Sequence, residues 1–375
     1  MLRGCEWKVR CRRLPSSLLP LLRTAALLLG VITVTATLLP ALRLKAWWVR
    51  IWDFPRLQLA LLGAVALALW ILAGEWLNGW RIAFVAVVAL ALLRQLTFIW
   101  RYTRLAPREV QPSRRNEPER RLSLVISNVL QDNREAGKVI ATVRDADADV
   151  IFCVETDDWW RDRLDVLRST HPHVVQQPRG NTYGMLLYSR LPLEDTAIDF
   201  LVQDDVPSIQ AVVRLRNGER VWLNCVHPRP PAPGESDDSL PRDAELLIVG
   251  KRVCDASMAV VVCGDLNDVA WSHTTRLFQR LSGLLDPRKG RGFYSTFHAR
   301  YPGLRYPLDH VFHSSDFRLV TLRKLGYVGS DHFPVHIILS HEPSAETEQE
   351  EPDSDASDER EAAETVAESE AGAGR

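Results

Sequence analysis

The sequence predicts an α/β domain of mixed sheets flanked by helices, preceded by three transmembrane helices. Two observations carry this prediction for the 375-residue chain. Residues 122–341 alternate between strand-like apolar runs and amphipathic segments, with both crossover and hairpin signals, which is typical of mixed sheets covered by helices. Residues 1–121 contain three long apolar stretches, as membrane-spanning segments do.

The charge is unevenly distributed, although the net charge is only −1. Residues 1–121 carry 19 basic and 6 acidic residues, residues 122–341 carry 25 and 28, and residues 342–375 carry 2 and 13. The middle block is long enough for one substantial core. Its slight negative charge argues against a protein that coats nucleic acid through a basic face.

Three apolar stretches predict membrane spans after a basic N-terminal segment, residues 1–23. Thr24–Leu42 and Leu57–Ala73 contain no charged residue, and Ile82–Trp100 contains only Arg94, near one end, where it can snorkel. Tryptophans cluster at the ends of these stretches, as in an interfacial aromatic belt: Trp47, Trp48, Trp52, Trp76, Trp80 and Trp100. Two further spans behind the first argue against a cleaved signal peptide.

The orientation in the membrane stays open at this point. Three spans place the termini on opposite sides, but basic residues flank several of the ends and cannot all face the cytoplasm. The charge count alone slightly favours a cytoplasmic C-terminal domain.

The middle block predicts eight strands and four helices after a polar linker, residues 101–121. The predicted strands are Leu122–Ser127, Val150–Val154, Gly184–Tyr188, Ile209–Leu215, Arg220–Val226, Ala259–Cys263, Leu308–Phe312 and Phe333–Leu339. The predicted helices are Arg134–Asp145, Asp158–Arg168, Leu240–Cys254 and His273–Leu281. Asn217-Gly218 predicts a hairpin turn. Residues 342–375 are acidic and lack large apolar side chains, which predicts a disordered tail.

Polar residues of catalytic type stand at the ends of four strand-like runs. Glu155, His227 and Asp265 each follow an apolar run, Asn267 lies close by, and Asp331-His332 precedes the last strand. Clustered carboxylates repel one another unless a cation lies among them. Oxygen ligands of this kind suit Mg²⁺ or Mn²⁺, which also bind phosphate oxygens. The set therefore indicates metal-assisted hydrolysis of a phosphoester.

The motifs in this block resemble the endonuclease/exonuclease/phosphatase superfamily in the family order. They are Ser127-Asn128-Val129, Val154-Glu155-Thr156, Tyr183-Gly184 with Ser189-Arg190, Val226-His227-Pro228, Gly264-Asp265-Leu266-Asn267, Leu308-Asp309-His310-Val311 and Ser330-Asp331-His332-Phe333-Pro334. Asp-His-Val followed by Ser-Asp-His-x-Pro at the domain end is the most specific part. The resemblance covers residues 122–341 and implies a four-layer sandwich, with two packed mixed sheets between outer layers of helices.

The resemblance also implies roles for individual residues. Glu155 is similar to the principal metal ligand of the family, with Asn128 and Asp331 as further metal-binding residues. Asp265 and Asn267 match the pair that orients the attacking water and the phosphate. His332 matches the catalytic histidine, Asp309 the carboxylate that holds its ring, and His227 the second histidine that donates to a phosphate oxygen. One departure is Leu130, where some apurinic endonucleases have a metal-binding Asp, which argues against the base-repair branch.

Other residues have ordinary explanations beside functional ones. Cys153, Cys225 and Cys263 lie two residues before site residues, and we expect them to be buried packing residues rather than ligands. Nothing in their spacing assigns disulfides. Residues 290–306 form an aromatic loop that either contacts a lipid or a base, or covers the edge of the core.

The sequence favours a membrane-anchored phosphohydrolase of a bacterial inner membrane that acts on a lipid-linked phosphate. His227–Pro231 and Asp265–Ser272 are similar to segments of membrane-anchored members, some of which hydrolyse polyprenyl pyrophosphate outside the cytoplasmic membrane. This resemblance implies an extracytoplasmic domain, against the charge count. A membrane-tethered nuclease is the alternative, although nucleic acid is the less favoured substrate. An inactive anchor that binds a partner through the acidic tail is disfavoured by the complete set of site residues.

Overall fold

The computed structural model describes residues 15, 17–74, 79–115 and 117–373. The chain divides into two compact units. One consists of the chain up to Leu42 together with Arg56–Thr97, and the other of Arg43–Pro55 together with Phe98–Arg375. Most of the basic N-terminal segment lies outside the described residues, as does the interfacial tryptophan predicted at Trp76.

In the described part of the chain, the first unit contains three α-helices, α1 (Leu19–Leu38), α3 (Arg56–Leu72) and most of α4 (Gly79–Ile99). With their 3-10 extensions, the apolar helices Leu19–Leu42 and Gly79–Tyr102 are each 24 residues long, or about 36 Å, which is enough to cross a bilayer core. Helix α3 has only 17 residues, about 25 Å, and is bent by 72° from the helical segment Trp47–Asp53 that precedes it. Two of the three predicted spans are therefore long and apolar enough to cross a membrane on their own, and the second stretch counts as a third only together with the bent segment that precedes it.

The second unit contains the remaining elements. Its helices are α2 (Trp47–Arg50), α5 (Ala136–Ala146), α6 (Asp158–Leu164), α7 (Leu240–Cys254), α8 (His273–Ser282) and α9 (Ala356–Ala373). Its strands are β1 (Arg121–Asn128), β2 (Val150–Val154), β3 (His173–Gln177), β4 (Met185–Ser189), β5 (Leu193–Asp199), β6 (Ser208–Arg214), β7 (Arg220–Val226), β8 (Ala259–Asp265), β9 (Asp309–His313), β10 (Phe317–Lys324) and β11 (Val335–His341).

These strands form two mixed sheets in the described part of the chain. The first has the order β10-β11-β1-β2-β4-β3, and the second has the order β5-β6-β7-β8-β9. Each sheet has one parallel pair near its centre, β1 with β2 and β7 with β8. The carboxyl ends of these four strands therefore point the same way within each sheet, and each pair ends in residues that the sequence marks as functional.

Alternating side chains along the central strands place the core between the sheets and a helix layer outside each sheet. In β2, Phe152 faces the inter-sheet core, whereas Ile151 packs under α5 and α6. In β8, Val261 faces the same core, whereas Val262 packs under α7 and α8. The expected four-layer sandwich is confirmed.

The strands that sequence reasoning missed lie at sheet edges. All eight predicted strands and all four predicted helices are present, with ends shifted by a few residues. The missed strands β3, β5 and β10 each bound a sheet. An edge strand buries less of each face, so its sequence lacks the apolar run that marks a central strand.

The acidic tail differs from the prediction of disorder. Residues 356–373 form helix α9, which packs through Ala362 and Val366 against Leu247, Leu277 and Leu281 of α7 and α8. Ion pairs to basic residues of the same unit, such as Arg280 with Asp358 at 2.7 Å, compensate the repulsion among the acidic side chains. The composition of the tail alone does not contain this information, because the compensating charges lie elsewhere in the chain.

Residues 43–55, which connect α1 to α3 in sequence, pack within the second unit. The Trp47 amide donates to the Asp237 carbonyl at 3.1 Å, and the Ser239 amide donates to the Lys45 carbonyl at 2.8 Å. The Trp271 indole donates to the Asp53 carbonyl at 2.7 Å. The connection between two apolar helices is thus an integral part of the sandwich domain.

Candidate active site

The site lies at the carboxyl ends of the parallel strands, where the two sheets meet. Asn128 is the last residue of β1, and Glu155 follows the last residue of β2. Asp265 ends β8, and Asp309, the first residue of β9, is its register partner. The topology therefore collects residues as far apart in sequence as Asn128 and Asp309 into one cluster.

Asn128 connects the two sheets at the centre of the site. Its Nδ2 donates to Glu155 Oε1 at 2.6 Å and to Asp265 Oδ2 at 3.0 Å. Its Oδ1 accepts from the Leu130 amide at 3.0 Å, which fixes the orientation of the side-chain amide. Asn128 thus holds two carboxylates, one from each sheet, close to a common point.

His332 and Asp309 form a buried pair beside this point. His332 Nδ1 lies 2.8 Å from Asp309 Oδ2, and His332 Nε2 lies 3.4 Å from Asp265 Oδ2. Burial alone would lower the pKa of His332, but the carboxylates of Asp265 and Asp309 outweigh it and raise the pKa to about 10. The imidazole is therefore positively charged at neutral pH and directs its Nε2 side toward Asp265.

Asp265 is fully buried yet remains ionised. Burial opposes its charge, but His332 and His227 together with the Asn128 hydrogen bond hold its pKa below the usual value. Its Oδ1 accepts from the Asn267 amide at 3.0 Å, and the Asn267 side chain donates to the Pro228 carbonyl at 3.0 Å. Asn267 therefore also anchors the loop that follows His227.

His227 lies at the end of β7 and is buried and neutral. Desolvation lowers its pKa to about 4. Among the described residues, its Nδ1 has no hydrogen-bond partner. The Tyr183 ring packs on it at a centroid distance of 5.4 Å, and the Arg229 guanidinium lies 4.8 Å from the centroid of the Tyr183 ring. A buried imidazole nitrogen without a partner is suited to bind a polar substrate atom.

Glu155 and Asp331 complete the acidic part of the site. Desolvation raises the pKa of Glu155 to about 7, and the charges of Asp331 and Asp265 contribute in the same direction. Asp331 directly precedes His332, and its charge acts on both Glu155 and His332. The structure thus brings together the eight site residues predicted from sequence.

The donor set fits a divalent cation. Three carboxylates whose charges act on one another, with an amide side chain between two of them, are the hard oxygen ligands that Mg²⁺ and Mn²⁺ prefer. Ligand atoms of Asp265, Asp309 and His332 also lie within 4.8 Å of one another. We assign this second group to the histidine–carboxylate pair, because His332 Nδ1 is engaged by Asp309 and its ring is cationic.

Backbone strain is concentrated around the site. Leu130, Glu155 and Asn267 have φ values of 59°, 60° and 51°, in the left-handed region that residues with a Cβ seldom adopt. Each such conformation costs on the order of 1 kcal/mol or more. Gly264, just before Asp265, has φ +147°, and a Cβ there would lie 1.9 Å from the Val226 carbonyl oxygen.

Several residues of the site were missed by sequence reasoning. Gln131 donates its backbone amide to Glu155 Oε2 at 3.4 Å and accepts from the Thr182 amide at 2.9 Å. Thr296 Oγ1 accepts from the Asp309 amide at 3.3 Å. The Phe297 ring packs on His332 at 5.0 Å. Only Phe297 had a signal in the sequence, as a member of the aromatic loop.

A family model for the endonuclease/exonuclease/phosphatase family matches residues 126–332, more than half of the chain. The chain belongs to the endonuclease/exonuclease/phosphatase family, and it is a metal-dependent hydrolase of phosphoric esters. No curated protein matches it in sequence.

Solved structures share the fold at low sequence identity. An endonuclease/exonuclease/phosphatase from Beutenbergia cavernae is 18% identical, with 60% of this chain and 72% of that chain covered and a TM-score of 0.50. The TDP2 of D. rerio, solved with a single-strand DNA product, is 17% identical, with 59% and 99% covered and a TM-score of 0.50. The human Nocturnin catalytic domain is 15% identical, with 59% and 94% covered and a TM-score of 0.48.

Proposed function

We propose that this protein is a membrane-anchored phosphohydrolase that cleaves a lipid-linked phosphate or pyrophosphate with Mg²⁺ or Mn²⁺. The single observation that supports the lipid substrate is the aromatic contact series from residues 43–55 to the catalytic histidine. The ring of Phe54 packs on Tyr306 at 5.6 Å, Tyr306 pairs with Phe297 through a backbone bridge, and Phe297 packs on His332.

This contact series links the catalytic histidine to the connection between two apolar segments of the chain. Phe54 lies two residues before α3 and is part of the connection between two apolar helices. Residues at the ends of membrane helices lie at the level of the lipid headgroups. We propose that a phosphate carried on a lipid contacts these aromatic side chains when it reaches His332. The interaction partners we propose are the bilayer and a phosphorylated, lipid-linked substrate.

The site residues have distinct roles in this proposal. Glu155, Asn128 and Asp331 would hold the cation, which supplies charge neutralisation at the phosphate oxygens and activates water. Asp265 and Asn267 orient the attacking water and the phosphate. His332, held by Asp309, donates from Nε2 to an oxygen on which negative charge develops during in-line attack on phosphorus. His227 donates a second hydrogen bond to a phosphate oxygen.

The location we propose is a bacterial inner membrane, with several spans and the catalytic domain outside the cytoplasm. Two helices of sufficient length and apolarity support the anchoring. The sidedness rests on the resemblance of His227–Pro231 and Asp265–Ser272 to extracytoplasmic relatives. A tethered nuclease is the alternative, and the low net charge of residues 122–341 argues against it.

The test compares lipid and nucleic acid substrates on the same preparation. Detergent-purified protein is assayed with Mg²⁺ on a polyprenyl pyrophosphate, on plasmid DNA and on single-stranded DNA, beside His332→Ala. We expect release of phosphate from the lipid, its loss in His332→Ala and no cleavage of DNA. A variant in the distant histidine–carboxylate pair, His341→Ala, controls for loss of folding, since His341 pairs with Asp316 at 3.1 Å outside the site.

DNA cleavage that depends on His332, without turnover of the lipid, would contradict the proposal and identify a tethered nuclease. Equal activity of the wild type and His332→Ala on the lipid would contradict the assignment of the site.

A further inference from the structure

Helix α9 covers a basic surface that includes the residues following the first apolar helix in sequence. Residues 356–373 contain six acidic residues and a single basic one. Their acidic side chains pair with basic residues from three segments of the same unit, the connection 43–55 and helices α7 and α8. The ion pairs are Arg43 with Glu361 at 3.5 Å, Lys45 with Glu368 at 2.5 Å, Lys251 with Glu359 at 3.7 Å, His273 with Glu361 at 2.5 Å and Arg280 with Asp358 at 2.7 Å.

The centre of this surface is a site built for an anion. Four basic residues, Arg43, Lys45, Arg50 and His273, line a cavity of about 40 Å³ and are called the juxtamembrane basic cluster here. The Asp243 carboxylate, which pairs with Arg50, also lines the cavity. So does the Glu361 carboxylate, which is bound by Arg43 and His273. It is the anion that the cluster holds in this structure.

Arg50 is the buried member of the cluster, and the carboxylates of Asp243 and Asp53 lie 3.4 and 3.7 Å from its guanidinium and compensate its charge. Its side chain is 6% exposed, and its Nη2 donates to Thr274 Oγ1 at 2.7 Å and to Asp243 Oδ2 at 3.4 Å. Its Nε is buried without a hydrogen-bond partner among the described residues. The first turn of the ten-residue helix α8 begins at His273, so the positive end of that helix dipole also faces the cluster.

The position of the cluster in the chain indicates its ligand. Arg43 directly follows Leu42, the last residue of the 24-residue apolar helix, and Lys45 is two residues further on. Headgroup phosphates lie at the ends of membrane helices, and each Lys or Arg near an anionic surface strengthens the attraction about fivefold. Arg43 and Lys45 are therefore the first basic residues in sequence after this apolar helix.

We propose that the juxtamembrane basic cluster binds the headgroup phosphate of anionic phospholipids, and that Glu361 and Glu368 of α9 compete for the same basic residues. The inference rests on the membrane anchoring proposed above, but not on the reaction or its substrate. Anionic lipid displaces the acidic side chains, and α9 separates from α7 and α8. The apolar interface between α9 and helices α7 and α8 is small, because only Ala362 and Val366 pack there against three leucines. The ion pairs therefore make up much of the contact between α9 and the two helices.

The test measures hydrogen exchange of residues 356–373 in full-length protein reconstituted into nanodiscs. The discs contain either phosphatidylcholine alone or phosphatidylcholine with phosphatidylglycerol. We expect the phosphatidylglycerol discs to raise the exchange rates of α9 at least tenfold. In the double variant Arg43→Gln/Lys45→Gln, the ratio of rates between the two discs should fall to about one, since roughly 25-fold of lipid attraction is removed.

A matched control uses two exposed arginines that are ion-paired elsewhere in the same unit. Arg214 and Arg220 pair with Glu194 and lie in the β6–β7 hairpin. The double variant Arg214→Gln/Arg220→Gln removes the same charge and should keep the wild-type ratio. In the opposite direction, Glu361→Gln/Glu368→Gln should increase the number of phosphatidylglycerol molecules retained by the protein in native mass spectrometry.

Four outcomes would overturn the proposal. The first is an unchanged exchange rate of α9 in phosphatidylglycerol discs, and the second is an equal response of the two double variants. The third is release of α9 by inorganic phosphate in phosphatidylcholine discs, which would make the cluster a site for free phosphate. The fourth is release by single-stranded DNA in those discs, which would identify α9 as a mimic of nucleic acid. Failure of the protein to insert into discs would refute the anchoring itself, whereas failure to hydrolyse a lipid would leave this inference standing.

Discussion

Replacing Asp309 by Asn tests the proposed role of the carboxylate that holds the ring of His332. The Asp309 carboxylate lies 2.8 Å from His332 Nδ1, and both side chains are buried. A hydrogen bond to a charged partner contributes roughly 1.5–3 kcal/mol. If it acts fully in the transition state, its loss lowers kcat roughly 10- to 150-fold.

The pH dependence gives the prediction a sign. His332 acts as an imidazolium, whose pKa of about 10 keeps it charged throughout the range from pH 6 to pH 9. Without the Asp309 charge the pKa falls, so the charged form is lost as the pH rises through the new value. We expect the kcat of Asp309→Asn to decline toward high pH, where the wild type stays level. Initial rates at saturating lipid substrate measure this.

Asp316→Asn is the matched control, because Asp316 holds His341 at 3.1 Å in a second buried pair outside the site. It removes a comparable bond from the core but should leave kcat and its pH profile unchanged. Equal losses in Asp309→Asn and Asp316→Asn would refute the reasoning, as would a level pH profile in Asp309→Asn.

Three further predictions concern stability and the metal. Burial raises the pKa of Glu245 to about 8. The stability contributed by this group is therefore present below its unfolded pKa and is lost as the pH rises through 8. Glu245→Gln should raise the Tm at pH 9 by an amount equivalent to a few kcal/mol, with little change near pH 4. Gly264→Ala should cost about 3 kcal/mol or more of unfolding free energy, because the added Cβ would collide with the Val226 carbonyl. The control Gly326→Ala should cost little, because no atom lies within 4 Å of the added Cβ. Equal Tm values for the two variants would contradict this prediction. Removal of divalent metal by a chelator should abolish turnover, and added Mg²⁺ should restore it. Glu155→Gln should weaken Mg²⁺ binding roughly tenfold or more in calorimetry. Turnover that survives chelation would contradict a metal site.

The central strands of the fold were predictable because their burial leaves a continuous apolar run. Val150–Val154 and Arg220–Val226 were predicted with their observed ends, as was helix Leu240–Cys254. The edge strands β3, β5 and β10 were missed, since a strand paired on one side contains more polar residues.

Two predictions outside the sandwich differ from the structure for different reasons. The second apolar stretch was predicted as a span from its composition, but it forms only a 17-residue helix. The tail was predicted as disordered from its own charge, but Arg280, His273 and Lys45 compensate that charge from other segments. For the tail, the deciding information lies outside the segment whose composition was used.

The predicted site residues lie close together because their motifs stand at strand ends. The carboxyl ends of neighbouring parallel strands lie at the same edge of a sheet. The sequence could not supply the supporting contacts of Gln131 and Thr296, since ordinary polar residues in loops carry no signal of their own. It also could not show that Phe54, in a connection between apolar helices, belongs to the surroundings of His332 through Tyr306.

The most direct measurement of the central claim is the dependence of kcat/KM on the lipid chain of the substrate. The protein, reconstituted in bilayers, is assayed on a long-chain polyprenyl pyrophosphate and on a short, water-soluble prenyl pyrophosphate with the same headgroup. We predict a strong preference for the long chain that Phe54→Ala reduces, because Phe54 connects the membrane segment to Tyr306 and the site. Equal kcat/KM for the two substrates, unaffected by Phe54→Ala, would contradict a lipid-linked substrate.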